Sequence, residues 1–162
     1  MIEINRFQPA DTAEAIGIWN DVVEQGLAFP QLEALDERSG CDFFLQQSYT
    51  GVARDRDSGE AVGLYILHPN NVGRCGHICN ASYAVRGDQR GRHVGEALVT
   101  DCMSKAKELG FRILQFNAVV STNYPALALY EKLGFTRLGV IPGGFLSKDG
   151  SYQDIIPHYI LL

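Results

Sequence analysis

"AVRGDQRGRHVGEALV", residues Ala84 to Val99, is the stretch on which the reading of the chain turns. A short apolar run enters it, glycines and arginines fill its middle, and an amphipathic segment leaves it, which reads as a strand, a turn and a helix N-terminus. A helix start leaves backbone N–H groups without partners, and here Arg90 and Arg92 flank them, so the loop suits a pyrophosphate. A dinucleotide fingerprint would need G-x-G-x-x-G and an acidic residue at the end of the next strand, and that strand ends in Asn117, Ala118 and Val119. A nucleoside-triphosphate loop would need G-K-[ST], which is absent. Taken alone, the stretch also reads as an ordinary basic loop before a helix.

The sequence on either side continues the alternation of strands and helices. Upstream, "IEINRF" reads as a strand. From Pro9 onward Ala13, Ile16, Trp19, Val22 and Val23 recur at helical spacing, with Asp11 or Thr12 placed to cap that helix. "GLAFPQLEALDERSGCDFFLQQ" mixes turn residues with Phe43, Phe44 and Leu45; it reads as a broken second helix and as the region where an acceptor pocket is expected. "TGVARDRDSGEAVGLYILHPN" is a hairpin turning at "DRDSGE", and "HICNASYAV" is the long strand that enters the loop. Beyond the loop come a helix stopping at Gly110, a strand "ILQFNAVV", a short helix in "TNYPALALYEKLG", and two strands, "FTRLGVI" and "QDIIPHYILL". No repeat, linker or low-complexity tract intervenes, so residues 1–162 are expected to form one α/β domain.

Composition narrows the function classes. A chain of 162 residues buries enough surface to fold without disulfides or metal. The opening "MIEINRFQPAD" lacks the apolar core of a signal peptide, and no apolar run approaches the ~18 residues of a membrane span, so a cytoplasmic protein is expected. A net charge of -5 with 14 basic residues argues against a nucleic-acid surface. "CGHIC" puts Cys75, His77 and Cys79 at alternating positions that would share one face of a strand. With no fourth ligand and no C-x-x-C pair, the thiols read as buried and free, and no metal is expected.

"TNYPALALYEKLGF", ending in Leu133, Gly134 and Phe135, follows a strand directly. With "QRGRHVGEAL" it resembles the two cofactor motifs of the GNAT acetyltransferase superfamily, a likeness that covers about residues 60 to 162. The superfamily's loop runs R/Q-x-x-G-x-G/A; here it is Arg90, Gly91, Arg92, His93, Val94, Gly95, with His93 where glycine is usual. That departure costs little if His93 is helical and matters if its φ is positive. The resemblance implies an N-acetyltransferase with acetyl-CoA as co-substrate and no metal. It also implies a mixed, mostly antiparallel sheet of about seven strands, splayed between the fourth and fifth and flanked by about four helices. The cofactor arm would lie along "SYAV", against Tyr83, Ala84 and Val85, with the Val85 N–H on the thioester carbonyl. The pyrophosphate would fall to Arg90, Gly91, Arg92, His93, Val94, Gly95 and Glu96. Asn123 would bond the arm or the acceptor, and Tyr130 stands where many members place the acid that protonates the departing thiolate. As plain helical pattern, Leu127, Tyr130 and Leu133 share a face and Tyr130 reads as a core aromatic.

"HPNNVGRCGHICNASYAV", with "FNAVVSTN" beyond it, is similar to the corresponding part of fungal N-acetyltransferases that act on azetidine-2-carboxylate and other proline-like imino acids. This likeness implies acceptor contacts from Asn80, Asn117 and Asn123, whose amides can grip a carboxylate and an amine without fixed charge. The first two also read as groups that satisfy strand ends beside a splay. Tyr130 and "PGGFLSKDGSYQD" look more like bacterial members of broader specificity. No carboxylate stands out as a general base; Glu33, Asp36 and Asp42 lie in the broken second segment. The expectation is direct transfer to a small-molecule amine in a ternary complex, without chemical parts for Cys79 and Cys102. Nucleic acid and membrane are not expected as partners, and a homodimer is left open. The alternatives are an acetyltransferase for another small amine, a xenobiotic or a protein N-terminus, and a non-catalytic acyl-CoA-binding domain.

Overall fold

The computed structural model describes residues 1–162. Its strands are β1 (Ile2–Arg6), β2 (Tyr49–Asp55), β3 (Ala61–Pro69), β4 (Ile78–Val85), β5 (Ile113–Val120), β6 (Thr136–Arg137), β7 (Ile141–Leu146) and β8 (Tyr152–Leu161). Its helices are α1 (Thr12–Gln25), α2 (Glu37–Leu45), α3 (Val94–Glu108) and α4 (Tyr124–Lys132). The sheet runs β1-β2-β3-β4-β5-β8-β6, with β7 also on β8. Every pairing is antiparallel except β4 with β5.

β3 is an almost unbroken apolar run because it is covered on both faces, and its side chains alternate between two cores. Leu64 and Ile66 point to α1 and α2, joining Phe7, Trp19, Phe44, Val52 and Ala84. Tyr65 and Leu67 point to α3, joining Cys79, Leu98, Leu114 and Phe116. On the first face Trp19 packs against Phe29 at 4.4 Å between ring centroids and against Phe43 at 5.2 Å. Phe29 thereby pins the connection between α1 and α2 over the sheet, and that connection becomes one wall of the site described below.

The parallel pair is where the sheet opens. β4 and β5 are in register only at Ile78↔Ile113 and Cys79↔Leu114. On its other edge β5 pairs with β8 as far as Val120↔Ile155, across an irregularity between Phe116 and Val119. Such a bulge bends its strand, and β5 has parted from β4 after Leu114, just ahead of it.

Three local expectations are refined. Of "FTRLGVI" only Thr136 and Arg137 form a strand, β6, which stops before Gly139, whose φ of 104° no continuous strand accommodates. β7 begins at its last residue, Ile141, runs on to Leu146, and lies along the same side of β8 as β6, at Ile141↔Ile155 and Thr136↔Tyr159. This is why eight strands are found. Neither Asp11 nor Thr12 caps α1 with its side chain: Asp11 accepts from the Gln8 N–H at 2.7 Å and Thr12 donates to the Pro9 carbonyl at 2.6 Å, closing a 3-10 turn ahead of the helix. Cys75 lies in a turn before β4 and is exposed, whereas Cys79 is buried and donates to the Ile113 carbonyl, so "CGHIC" does not share one face. Gly110, with φ 91°, ends α3 as expected.

Candidate functional site

The loop before α3 is a cradle of unused donors. The N–H groups of Gly91, His93, Val94, Gly95 and Glu96 find no acceptor within the chain; the first helical bond is that of the Ala97 N–H to the His93 carbonyl, at 3.1 Å. Gly91 has φ 80° and His93 has φ 61° and ψ 17°. His93 is therefore left-handed, not helical, and it is the sole non-glycine residue of positive φ in the chain. The position requires what glycine gives freely, and a histidine there costs about 1–2 kcal/mol.

The same loop forms one end of a cavity of about 720 Å³. Tyr83, Val85, Arg90, Gly91, His93, Val94, Gly95, Glu96 and Asn123 all line it. Two of the expected cofactor residues do not. Arg92 turns behind the loop to Asp55, at 3.4 Å, and Ala84 is packed in the core under α1. The backbone explains why Ala84 differs from its neighbours. The Arg86 N–H donates to the Val62 carbonyl and the Asn70 N–H to that of Ile78, so in the β3 register the even-numbered residues of β4 bond to β3. The N–H groups of Ala81, Tyr83 and Val85 then face the opened side. Reading by motif missed Val22, Gln25, Leu27 and Ala28, which close the cavity from α1 and the segment after it, and Thr122, Pro125 and Leu129 around the start of α4. Apart from Gln25 and Thr122 these side chains are apolar, and only the fold shows that they face the cavity.

A second cavity, of about 330 Å³, occupies the splay itself and shares Ala28, Tyr83 and Asn123 with the first. Asn80, Asn117, Asn123 and Tyr130 all line it, with Phe29, Pro30 and Phe116, and no charged residue does. Asn80 stands at the fork, where its Oδ1 accepts from the Ala81 N–H at 2.8 Å, a donor that β5 no longer serves. Its Nδ2 makes no bond within the chain. Asn117 is exposed; it donates to Asn70 Oδ1 at 2.7 Å and accepts from Gln115 at 3.0 Å. Asn123 is the N-cap of α4, accepting from the Ala126 N–H at 3.4 Å.

Tyr130 is held by three rings, with centroids at 4.6 Å for Phe116, 5.3 Å for Phe135 and 5.6 Å for His158. Burial raises its ionisation well above the ordinary tyrosine value, so its hydroxyl stays a proton donor at neutral pH. Burial likewise pushes the Cys79 thiol up to about 12 and that of Cys102 higher still, which leaves neither as a nucleophile. His158 is fully buried: Nδ1 meets the Ile156 carbonyl at 2.7 Å and Nε2 has no partner. Burial, with Arg137 nearby, holds its ionisation below the ordinary histidine value. It therefore contributes stability that is complete above about pH 6.5 and is lost as pH falls below it. The melting temperature should drop more steeply from pH 7 to pH 5 in the native chain than in His158→Phe; equal slopes would clear His158 of this linkage.

An α/β sheet that opens along its parallel pair, beside an anion-binding loop at a helix N-terminus, defines a class of enzyme built to lay a long phosphorylated cofactor into a strand gap. Residues 18–135 match the acetyltransferase (GNAT) family, and the chain belongs to it. It is 30% identical to the N-acetyltransferase aca1 of Schizosaccharomyces pombe over 83% of this chain and 72% of that protein. A GCN5-related N-acetyltransferase from Kribbella flavida is also 30% identical, with a TM-score of 0.90 over 99% of this chain and 98% of that one. A Sinorhizobium meliloti phosphinothricin acetyltransferase, solved in complex with acetyl-CoA, shares the fold at 19% identity, with a TM-score of 0.90 over 99% of this chain and 88% of that one. The protein is thus an acetyl-CoA-dependent N-acetyltransferase. The free N–H groups of the loop, the two outward N–H groups of Tyr83 and Val85 and the long cavity between them fit that cofactor, which supplies an activated acetyl thioester when bound. No helix is long and apolar enough to cross a membrane.

Proposed function

We propose that the acceptor is a small amine bearing a carboxylate, of the proline-like imino-acid type, and that it enters the cavity in the splay. The observation that carries this reading is the cavity's lining: about 330 Å³, without a charged side chain, and with asparagines on both of its walls. A polycation would require carboxylates there, and a peptide chain would require an open groove. A compact zwitterion needs only neutral donors and acceptors, which Asn80 Nδ2 and the Asn117 amide provide.

In this reading Gly91 to Glu96 hold the pyrophosphate through their N–H groups, and Asn123 joins the two cavities. The Val85 N–H takes the charge that develops on the carbonyl oxygen as the amine attacks. Tyr130 gives its hydroxyl proton to the sulfur as the carbon–sulfur bond breaks. No carboxylate or imidazole lines the cavity, so the amine gives up its own proton to solvent. Phe29 and Pro30 line the acceptor side.

The test is thiol release from acetyl-CoA with a panel of amines. Proline-like imino acids should react faster than polyamines or a peptide with a free N-terminus. Asn117→Ala should lower kcat/KM for the imino acid about tenfold, the order of one lost polar contact of ~1.4 kcal/mol, with acetyl-CoA binding unchanged. Faster reaction with amines that lack a carboxylate, and a silent Asn117→Ala, would reject the acceptor and leave the acetyltransferase standing.

A further inference from the structure

We propose that His93 is a phosphate ligand: its imidazole, carried on the loop before α3, binds the cofactor's diphosphate and makes cofactor affinity rise as the ring protonates. The inference rests on the placement of acetyl-CoA along the cavity and not on the acceptor.

Three observations carry it. The first is position. His93 lines the cofactor cavity, and its side chain is 82% exposed, so the ring is free to meet a ligand lying on the loop's N–H groups. The second is conformation. A left-handed backbone at φ 61° is kept at a non-glycine residue here alone in the chain, although glycine would relieve the strain.

The third is the balance of charge around the diphosphate. Of the three arginines on the loop, Arg86 is paired with Asp88 and Glu60, Arg92 is drawn off to Asp55, and Arg90 is bonded to the neutral Gln25 of α1 at 3.1 Å. α3 contributes Glu96, an anion facing the same cavity, held ionised chiefly by its hydrogen bond from Lys132 of α4 at 2.7 Å. Glu96 and Lys132 cancel, and Arg90 is left as the one net cation that α1, α3, α4 and the loop direct to this end of the cavity. His93 Nδ1 lies 3.5 Å from the Glu96 carboxylate. Protonated, the ring completes a triad with Glu96 and Lys132 that carries a net positive charge; neutral, the triad carries none. An imidazole is the side chain that makes this change between about pH 5 and pH 8.

Calorimetric titration of the protein with CoA at pH 6 and at pH 8 tests the assignment, alongside His93→Gly and His93→Asn. Glycine removes the strain, and asparagine tolerates the left-handed backbone without a charge, so both variants should fold. The cofactor's own phosphates titrate identically against all three proteins, so the difference between proteins isolates the ring. The native chain should gain about fivefold more affinity from pH 8 to pH 6 than either variant, the order of one charged contact that is partly exposed. Dephospho-CoA, which keeps the diphosphate and lacks the 3′-phosphate, should show the same extra gain. Equal pH dependence in the three proteins would overturn the proposal, as would an extra gain that disappears with dephospho-CoA. Failure of the native chain to bind CoA at either pH would instead overturn the cofactor placement and the inference with it.

Discussion

Tyr130→Phe is expected to lower kcat by about 10²-fold or more while leaving CoA affinity unchanged. The ring of Tyr130 is fixed by Phe116, Phe135 and His158, and phenylalanine keeps all of those contacts. What the substitution removes is a hydroxyl that makes no hydrogen bond within the chain and that lines the cavity in the splay. Burial keeps its proton in place, so it can act as an acid on a thiolate and cannot act as a base at neutral pH. A group that acts only as the sulfur leaves should, when lost, change turnover rather than binding. Steady-state kcat from thiol release, set beside a calorimetric affinity for CoA, separates the two. Near-normal turnover would make Tyr130 a packing residue of the α4 face, the other reading its helical spacing allows.

The sequence disclosed the parts of this site that repeat a local pattern. A strand, a loop of unpaired N–H groups and a helix follow one another within "AVRGDQRGRHVGEALV", so the cofactor end could be read from one stretch. What could not be read is where neighbouring side chains go. Arg90 and Arg92 look equivalent in the sequence, yet a buried Gln89 and the carboxylate of Asp55 turn Arg92 away from the ligand side. Ala84 lies between two residues that face the cavity, and only the β3 register shows that its backbone is already committed. The sign of φ at His93 decides whether the missing glycine matters, and no pattern of residues states it. Asn80 shows a different limit. Its Oδ1 satisfies the fork, as the strand-end reading expects, while its Nδ2 is unbonded and the acceptor contact stays a proposal. The α1 wall escaped because apolar residues such as Leu27 and Ala28 acquire a role only through the fold, with Phe29 anchored on Trp19 to put them there.

Gly95→Asp should abolish most of the stabilisation that acetyl-CoA gives, without harming the unliganded protein. A Cβ built on Gly95 meets nothing closer than Leu129 at 3.7 Å and Val85 at 3.9 Å, so a side chain fits and points into the cofactor cavity. In the unliganded protein an aspartate in the first turn of α3 is favourable, because it complements the helix dipole. The melting temperature without ligand should therefore hold or rise. With ligand the same carboxylate stands against the diphosphate, and like charges brought together in this way cost several kcal/mol, or about 10²-fold or more in affinity. At a ligand concentration of about 100 Kd the native chain gains ~2.7 kcal/mol, and after a 10²-fold loss the variant gains ~0.4 kcal/mol at that same concentration. Thermal melts with and without acetyl-CoA read this as a shift of several degrees that shrinks to about one. Gly95→Ala, which fills the same space without charge, should keep a substantial part of the shift. If Gly95→Asp retained the full shift, the diphosphate would not lie on the Gly91–Glu96 loop, and the assignment of the cofactor cavity would fall with it.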